Sequence, residues 1–260
     1  MNSVQDVFNE LNAIAPIELQ MDFDNAGLLI GDRNKTVNKI IVALDITSAV
    51  INEAIEIGAQ LIVSHHPVIW NAMKQVSSDN VQQAHVMKLI ENGISAICMH
   101  TNLDIADGGV NDVLMHVLGL NPIGSLQQVS DKTGVGRYGM YSRSQTIEDM
   151  LKLCKTKLHC NGIKYVCCSN CVKTVGVMGG SGGNAILDAK KLGCDTYITS
   201  DIKYDQFLLA KEININLLDV GHFNSENVII PVVAEYLQDK VSDAEVYTSA
   251  VHEQVEQFFV

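Results

Sequence analysis

Ala54-Ile55-Glu56-Ile57-Gly58-Ala59-Gln60-Leu61-Ile62-Val63-Ser64 has a gapless counterpart in Ala189-Lys190-Lys191-Leu192-Gly193-Cys194-Asp195-Thr196-Tyr197-Ile198-Thr199. Each copy reads as the end of a helix, a glycine that stops it, and a short strand. Outward from this pair the agreement continues. A strand begins at Lys39, 19 residues before Gly58, and another at Lys173, 20 residues before Gly193. Ile40-Ile41-Val42-Ala43-Leu44 is continuously apolar, as a strand buried on both faces requires. Helices are expected over residues 47–57 and 82–91 in the first half, with a further strand over 95–99. The second half repeats the alternation with a helix opening at Gly182-Gly183, a helix over 204–212 and a strand over 215–218. This is βαβ alternation written twice.

The expected fold is therefore α/β: two similar lobes with mixed, mainly parallel sheets, residues 1–126 and 173–260, together forming one unit. Open α/β sheets bind ligands at the C-terminal ends of their strands, so lobes facing each other bring those ends to a common cleft. Residues 127–172 are more polar and less regular and read as a bridging segment, with a strand over 137–141 and a helix over 146–158. Ser3 suits the N-cap of a first helix whose apolar stripe is Val4, Val7, Phe8, Leu11 and Ile14, stopped by Pro16. A last helix is expected over 225–237 and a closing strand over 245–248.

Composition narrows the function classes. In 260 residues, 47% are hydrophobic and 18% charged, enough apolar material for a substantial core. No stretch nears the roughly 18 apolar residues of a membrane span, and no basic region precedes an apolar run at the N-terminus. A cytoplasmic location without membrane association is the expectation. The net charge of −12 repels polyanions at long range and disfavours nucleic-acid binding. Seven cysteines, scattered and odd in number, read as reduced thiols. The lone Cys168–Cys171 CxxC, beside Cys160 and Cys167, is a weak zinc or redox signal set against ordinary thiols.

Three strand exits carry the chemistry. Ser64-His65-His66-Pro67 follows one strand directly, where both imidazoles can turn toward a single site. His100-Thr101-Asn102-Leu103-Asp104 follows the next. Alone, Asp104 also reads as a mere helix cap, but Asp107, just before Gly108-Gly109, is the better-placed cap. Asp219-Val220-Gly221-His222-Phe223-Asn224-Ser225-Glu226 follows the third. One helical turn sets His222 and Glu226, at i and i+4, on one face; an exposed helix start is the plainer reading of that segment alone. Taken together, His65, His66, Asp104, His222 and Glu226 exceed what one tetrahedral zinc with an open position takes. They suit two ions roughly 3.5–4 Å apart with a bridging carboxylate. Nitrogen and oxygen donors without thiolate fit zinc, iron, manganese, cobalt or nickel. His100 is a candidate acid or base, or an orienting partner for a ligand. Gly179-Gly180-Ser181-Gly182-Gly183 reads either as an anion cradle or, preferably, as a tight strand-to-helix turn, since it lacks the dinucleotide and P-loop patterns.

Asp24-Asn25-Ala26-Gly27-Leu28, Ala43-Leu44-Asp45-Ile46-Thr47 and the three strand-exit motifs together resemble the Nif-three-like family, whose members are commonly labelled GTP cyclohydrolase 1 type 2 homologs. The resemblance runs from about residue 4 to residue 250. It implies a dinuclear metal centre on His65, His66, Asp104, His222 and Glu226, and a ring-shaped homohexamer with metal sites facing its interior. The chain resembles the short form, without the inserted domain of longer relatives. It departs at Phe23, where the family often has Trp, at Ser200, often Gly, and at Asp205, often His. Two functions from different classes follow. One is a metal-dependent hydrolase acting on a nucleotide or related small molecule. The other is a non-catalytic metal-binding scaffold or regulatory partner.

Overall fold

Ser3 starts the first helix, α1 (Val4–Ile14), with a reciprocal cap: its hydroxyl accepts from the Asp6 N–H while the Asp6 carboxylate accepts from the Ser3 N–H. Val4, Val7 and Leu11, one stripe at helical spacing, are fully buried. The computed structural model describes residues 1–130 and 133–259. After α1 come β1 (Gly27–Ile30), β2 (Lys39–Ala43), α2 (Ser48–Ile57), β3 (Leu61–Ser64), α3 (Val81–Glu91), β4 (Ser95–Cys98) and the short α4 (Thr101–Ile105). The chain continues through α5 (Val110–Val117), β5 (Arg137–Thr146), α6 (Ile147–Lys157), β6 (Lys164–Val166) and β7 (Cys171–Ser181). Then follow α7 (Ile186–Lys191), β8 (Thr196–Ser200), α8 (Tyr204–Glu212), β9 (Asn216–Asp219) and α9 (His222–Glu226), and last α10 (Ile229–Lys240) and β10 (Glu245–Thr248).

These elements make a mixed α/β fold of two units. The first holds residues 1–106 and 230–253; the second holds residues 107–229 and the tail from Gln254. In the first unit a five-stranded sheet runs β10-β2-β3-β4-β1. Its first four strands are parallel and β1 is antiparallel on β4. Ile40 to Ala43 and Leu61 to Val63 are buried on both faces, as their uninterrupted apolar runs predict. Ile41, Ala43 and Ile62 pack with Val50, Ile51 and Ala54 of α2 and with Val86 and Leu89 of α3.

In the second unit the sheet runs β6-β9-β8-β7-β5. Here β7, β8 and β9 are parallel, while β6 and β5 are antiparallel edges. The first sheet is thus mainly parallel and the second evenly mixed. Val175, Val177, Ile198 and Leu218 pack with Leu114 and Met115 of α5 and with Met150 and Cys154 of α6.

The boundaries differ from those expected. Residues 127–172 are no bridge: β5, α6 and β6 build the second unit, and α5 packs in its core. The reason lies in the repeat, which is longer than the matched sequence suggests. Each unit contains a helix, an antiparallel edge strand and three parallel strands, α1-β1-β2-β3-β4 and α6-β6-β7-β8-β9, and in each the edge strand pairs with the third parallel strand. The expected closing strand does form at its predicted bounds, but it returns to the first unit. Glu245 pairs with Lys39 and Thr248 with Val42, so it covers the open edge of β2. The expected helix over 225–237 divides into α9 and α10.

Candidate metal centre

The parallel register of the first sheet assembles the site before any side chain is considered. Ala43, Ser64 and Cys98 lie side by side at the ends of β2, β3 and β4. The ladder continues one rung further: the N–H groups of His65 and His66 donate to the carbonyls of Ala43 and Leu44, and that of Met99 to Ser64. Two residues past the shared rung therefore stand Asp45, His66 and His100, and one past it stand Leu44, His65 and Met99. The side-chain bonds follow from this. His65 Nδ1 lies 2.8 Å from the Met99 carbonyl and His66 Nδ1 lies 2.8 Å from Asp45 Oδ1. The three imidazoles cluster with ring centroids 5.0–5.7 Å apart. Each offers a ligating nitrogen, and these atoms all lie within 4.8 Å of one another.

Asp104 sits near the end of α4, where its N–H donates to the His100 carbonyl. Its Oδ1 is 3.7 Å from His65 Nε2. Asp107 does not cap the next helix, contrary to expectation. Gly109 holds the N-cap position of α5, and Asp112 reaches back to accept from the Gly108 N–H. Asp107 instead lies 3.8 Å from the Arg137 guanidinium.

In the second unit Thr199 and Asp219 share the last rung of β8 and β9. Asp201 lies two residues on, in the left-handed region at φ 56°. His222 opens α9 after Gly221, whose φ of 90° suits glycine. His222 Nδ1 lies 2.7 Å from Asp201 Oδ2, and its Nε2 lies 3.0 Å from Glu226 Oε2 one turn later. Glu226 is buried. Strand β7 makes room for it: a Cβ on Gly180 would stand 2.1 Å from Glu226 Oε1.

The glycine stretch is occupied by the protein itself. The Gly179, Gly180 and Gly182 N–H groups donate to Asn111 Oδ1, Ser225 Oγ and Thr199 Oγ1. Those amides are thus committed to holding β7 against α9, α5 and β8, as a packed turn requires and an anion cradle does not.

A common device runs through all four histidines. His65 hydrogen-bonds a carbonyl through Nδ1, and His66, His100 and His222 hydrogen-bond the carboxylates of Asp45, Asp24 and Asp201 through theirs. A carbonyl or carboxylate only accepts, so each Nδ1 carries a proton and Nε2 is the atom that a neutral ring would turn toward an ion. Carbonyl or carboxylate behind imidazole is the arrangement that orients histidine toward a metal ion. The pairs His65–Asp104 and His222–Glu226 bring imidazole nitrogen and carboxylate oxygen together, the donor types that a divalent cation takes.

Asp24 is the best-defined partner. Burial alone would push its carboxyl up, but bonds from the His100 imidazole, the Thr101 hydroxyl and the Thr101 N–H bring it down to about 2. Beneath the histidine pair, the buried Cys98 thiol donates to the His65 carbonyl at 3.0 Å. Burial raises its pKa well above the usual thiol range, so it is no thiolate ligand. All seven cysteines are free thiols. Among the described residues no cysteine belongs to a group with metal-ligand spacing, which leaves Cys167, Cys168 and Cys171 as ordinary thiols. Sequence reasoning missed Asp24, Asp45 and Asp201 as partners of the histidines. The available signal was their position, two residues past the last shared rung of a strand for Asp45 and Asp201.

The fold and these residues define an α/β protein whose strand ends present imidazole and carboxylate groups of a kind that holds a metal ion. Residues 2–255 match the model of the family described as Duf34/NIF3 (NGG1p interacting factor 3), and the chain belongs to that family. It is 37% identical over 250 residues to a GTP cyclohydrolase 1 type 2 homolog of Clostridium perfringens, covering 95% of both chains. Its fold is that of a Bacillus cereus protein related to NIF3, with TM-score 0.92, 24% identity, and coverage of 100% of this chain and 99% of that one. A Staphylococcus aureus hypothetical protein is similar at TM-score 0.89 and 28% identity, over 99% of both chains. Among the described residues no helix is long and apolar enough to cross a membrane.

Proposed function

We propose that this protein is a metal-dependent hydrolase acting on a nucleotide or related small molecule. In this reading His65, His66, Asp104, His222 and Glu226 would hold two divalent ions. The observation that carries this reading is the shared orientation of the histidines. Four Nδ1 atoms are engaged by acceptors behind them, so Nε2 is the atom through which each ring would meet an ion. The donor set fits the metals: nitrogen and oxygen atoms suit zinc, iron, manganese, cobalt or nickel, and no thiolate competes. A pair of such ions supplies concentrated positive charge, which acidifies water and polarises the bond under attack.

The chain's own residues supply the rest. His65 and His66 are held rigidly because their bonds extend a sheet ladder instead of hanging from a loop. His100, kept protonated on Nδ1 by Asp24, presents Nε2 beside that pair and takes or returns a proton there. The ionised Asp24 carboxylate stabilises the imidazolium formed when His100 accepts one. The name borne by the Clostridium perfringens relative supports a nucleotide-like substrate. The resemblance further supports a homohexameric ring.

Metal analysis of the purified protein tests the centre: about two ions per chain are expected, and His222→Ala loses at least one. Turnover of the metal-reconstituted protein on a panel of nucleotides and phosphoesters tests the hydrolase. Activity that survives His65→Ala unchanged would rule out this reading for that substrate.

A further inference from the structure

Phe23 and Trp70 are large aromatics left 64% and 44% exposed beside the His65, His66 and His100 cluster. Their ring centroids are 6.4 Å apart with planes inclined at 49°. Trp70 also meets the His100 ring at 5.3 Å, nearly edge-on at 78°. Surface aromatics are usually free to turn, but the backbone carrying these two is fixed. Next to Phe23, Asp24 is tied to His100 and Thr101 through its carboxylate and to the Met21 carbonyl through its N–H. Thr101 in turn accepts from the Met21 N–H. Next to Trp70, the Ile69 carbonyl accepts from Asn25 Nδ2 at 2.6 Å. The bond that orients His100 thus runs through the residue next to Phe23, and Asn25 ties that segment to the one carrying Trp70.

We infer that Phe23 and Trp70 seat the flat heteroaromatic ring of the substrate, a nucleobase or a ring of that kind, beside His100. Any π-face stacks on an aromatic side chain whatever its edge pattern, and tilted neighbouring rings supply one stacking face and one edge contact. The polar rim of such a heterocycle then lies against His100 and Asn25, which offer nitrogen and oxygen atoms. An aliphatic chain or a bare phosphoester would gain nothing from two rings held in this pose. The net charge of −12 disfavours recognition of a polyphosphate by charge alone and leaves the ring as the part to grip. This inference rests on the hydrolase reading for the role of His100, but not for the binding itself.

Trp70 is the only tryptophan in the chain, so intrinsic emission excited at the red edge of its absorption reports this position alone. The metal-loaded protein is titrated with guanosine and adenosine 5′-monophosphates, with ribose 5-phosphate as the ringless control. A saturable change in emission is expected with the nucleotides and none with ribose 5-phosphate. Phe23→Ala, which keeps the reporter, weakens the nucleotide response about tenfold while metal content and particle mass stay unchanged. The inference is overturned by equal affinity in Phe23→Ala, by an identical response to ribose 5-phosphate, or by no nucleotide response at all. It is also overturned if Phe23→Ala changes the particle mass, which would make the pair an assembly surface. Set beside the turnover panel, a protein that binds nucleotides without cleaving any substrate sinks the hydrolase reading alone. One that turns over only ringless substrates sinks this inference alone.

Discussion

Asp24 shows how one residue serves fold and chemistry together. Its fully buried side chain accepts from His100 and from both donors of Thr101, and the carboxyl is depressed from 3.8 to about 2. A depressed carboxylate stabilises the folded state above its unfolded pKa, and that contribution is lost as pH falls through the folded value. The shift corresponds to about 2 kcal/mol. Asp24→Asn in metal-free protein is expected to lower stability by about this amount at neutral pH, with the gap to wild type narrowing as pH falls below about 4. Urea melts across that range measure it, and a gap independent of pH would contradict the assignment. The metal-ligand candidates were legible in sequence because His65, His66, Asp104, His222 and Glu226 follow strand exits at short range. Asp24, Asp45 and Asp201 were not. Their part depends on which strand lies beside which, and in what register, a fact that exists only between segments.

Among the elements, β7 and α9 show what the glycines are for. Gly180 has φ 62°, and a Cβ there would overlap Glu226 Oε1 and stand 3.3 Å from His222 Nε2. Gly193 is the control, with φ 81° and nothing within 4 Å of an added Cβ. Both alanine variants bear the cost of the left-handed backbone, roughly 1–2 kcal/mol. Gly180→Ala adds about 1–3 kcal/mol of overlap. By calorimetry Gly180→Ala should melt several degrees below Gly193→Ala, at roughly 2–4 °C per kcal/mol for a chain of this size, and it alone should lose metal. Equal melting points and metal contents would show that α9 moves aside freely. The helices and parallel strands were readable from periodicity and apolar runs. The edge strands were not assigned to their sheets, because β6 is short and half-exposed and β10 carries no mark of the strand it joins. The partner of an edge strand is decided by which edge is left open, and β2 offered one.

At the level of the whole molecule, charge and assembly pull against each other. Each chain carries −12, so bringing copies together concentrates like charge, whereas exposed apolar side chains such as Leu208, Val232 and Tyr204 favour burial between copies. Fields of this kind are screened beyond roughly 10 Å at 0.1 M salt, while apolar burial is not weakened by salt. The proposed homohexamer is therefore expected to tighten with ionic strength. Light scattering behind size exclusion should give about six times the chain mass of 28.4 kDa at physiological salt, with smaller species growing as salt is lowered. A nucleic-acid complex would behave in the opposite sense and dissociate as salt rises. A particle of single-chain mass at every salt concentration would remove the ring and leave the metal centre, whose proposed ligands all come from one chain, unaffected.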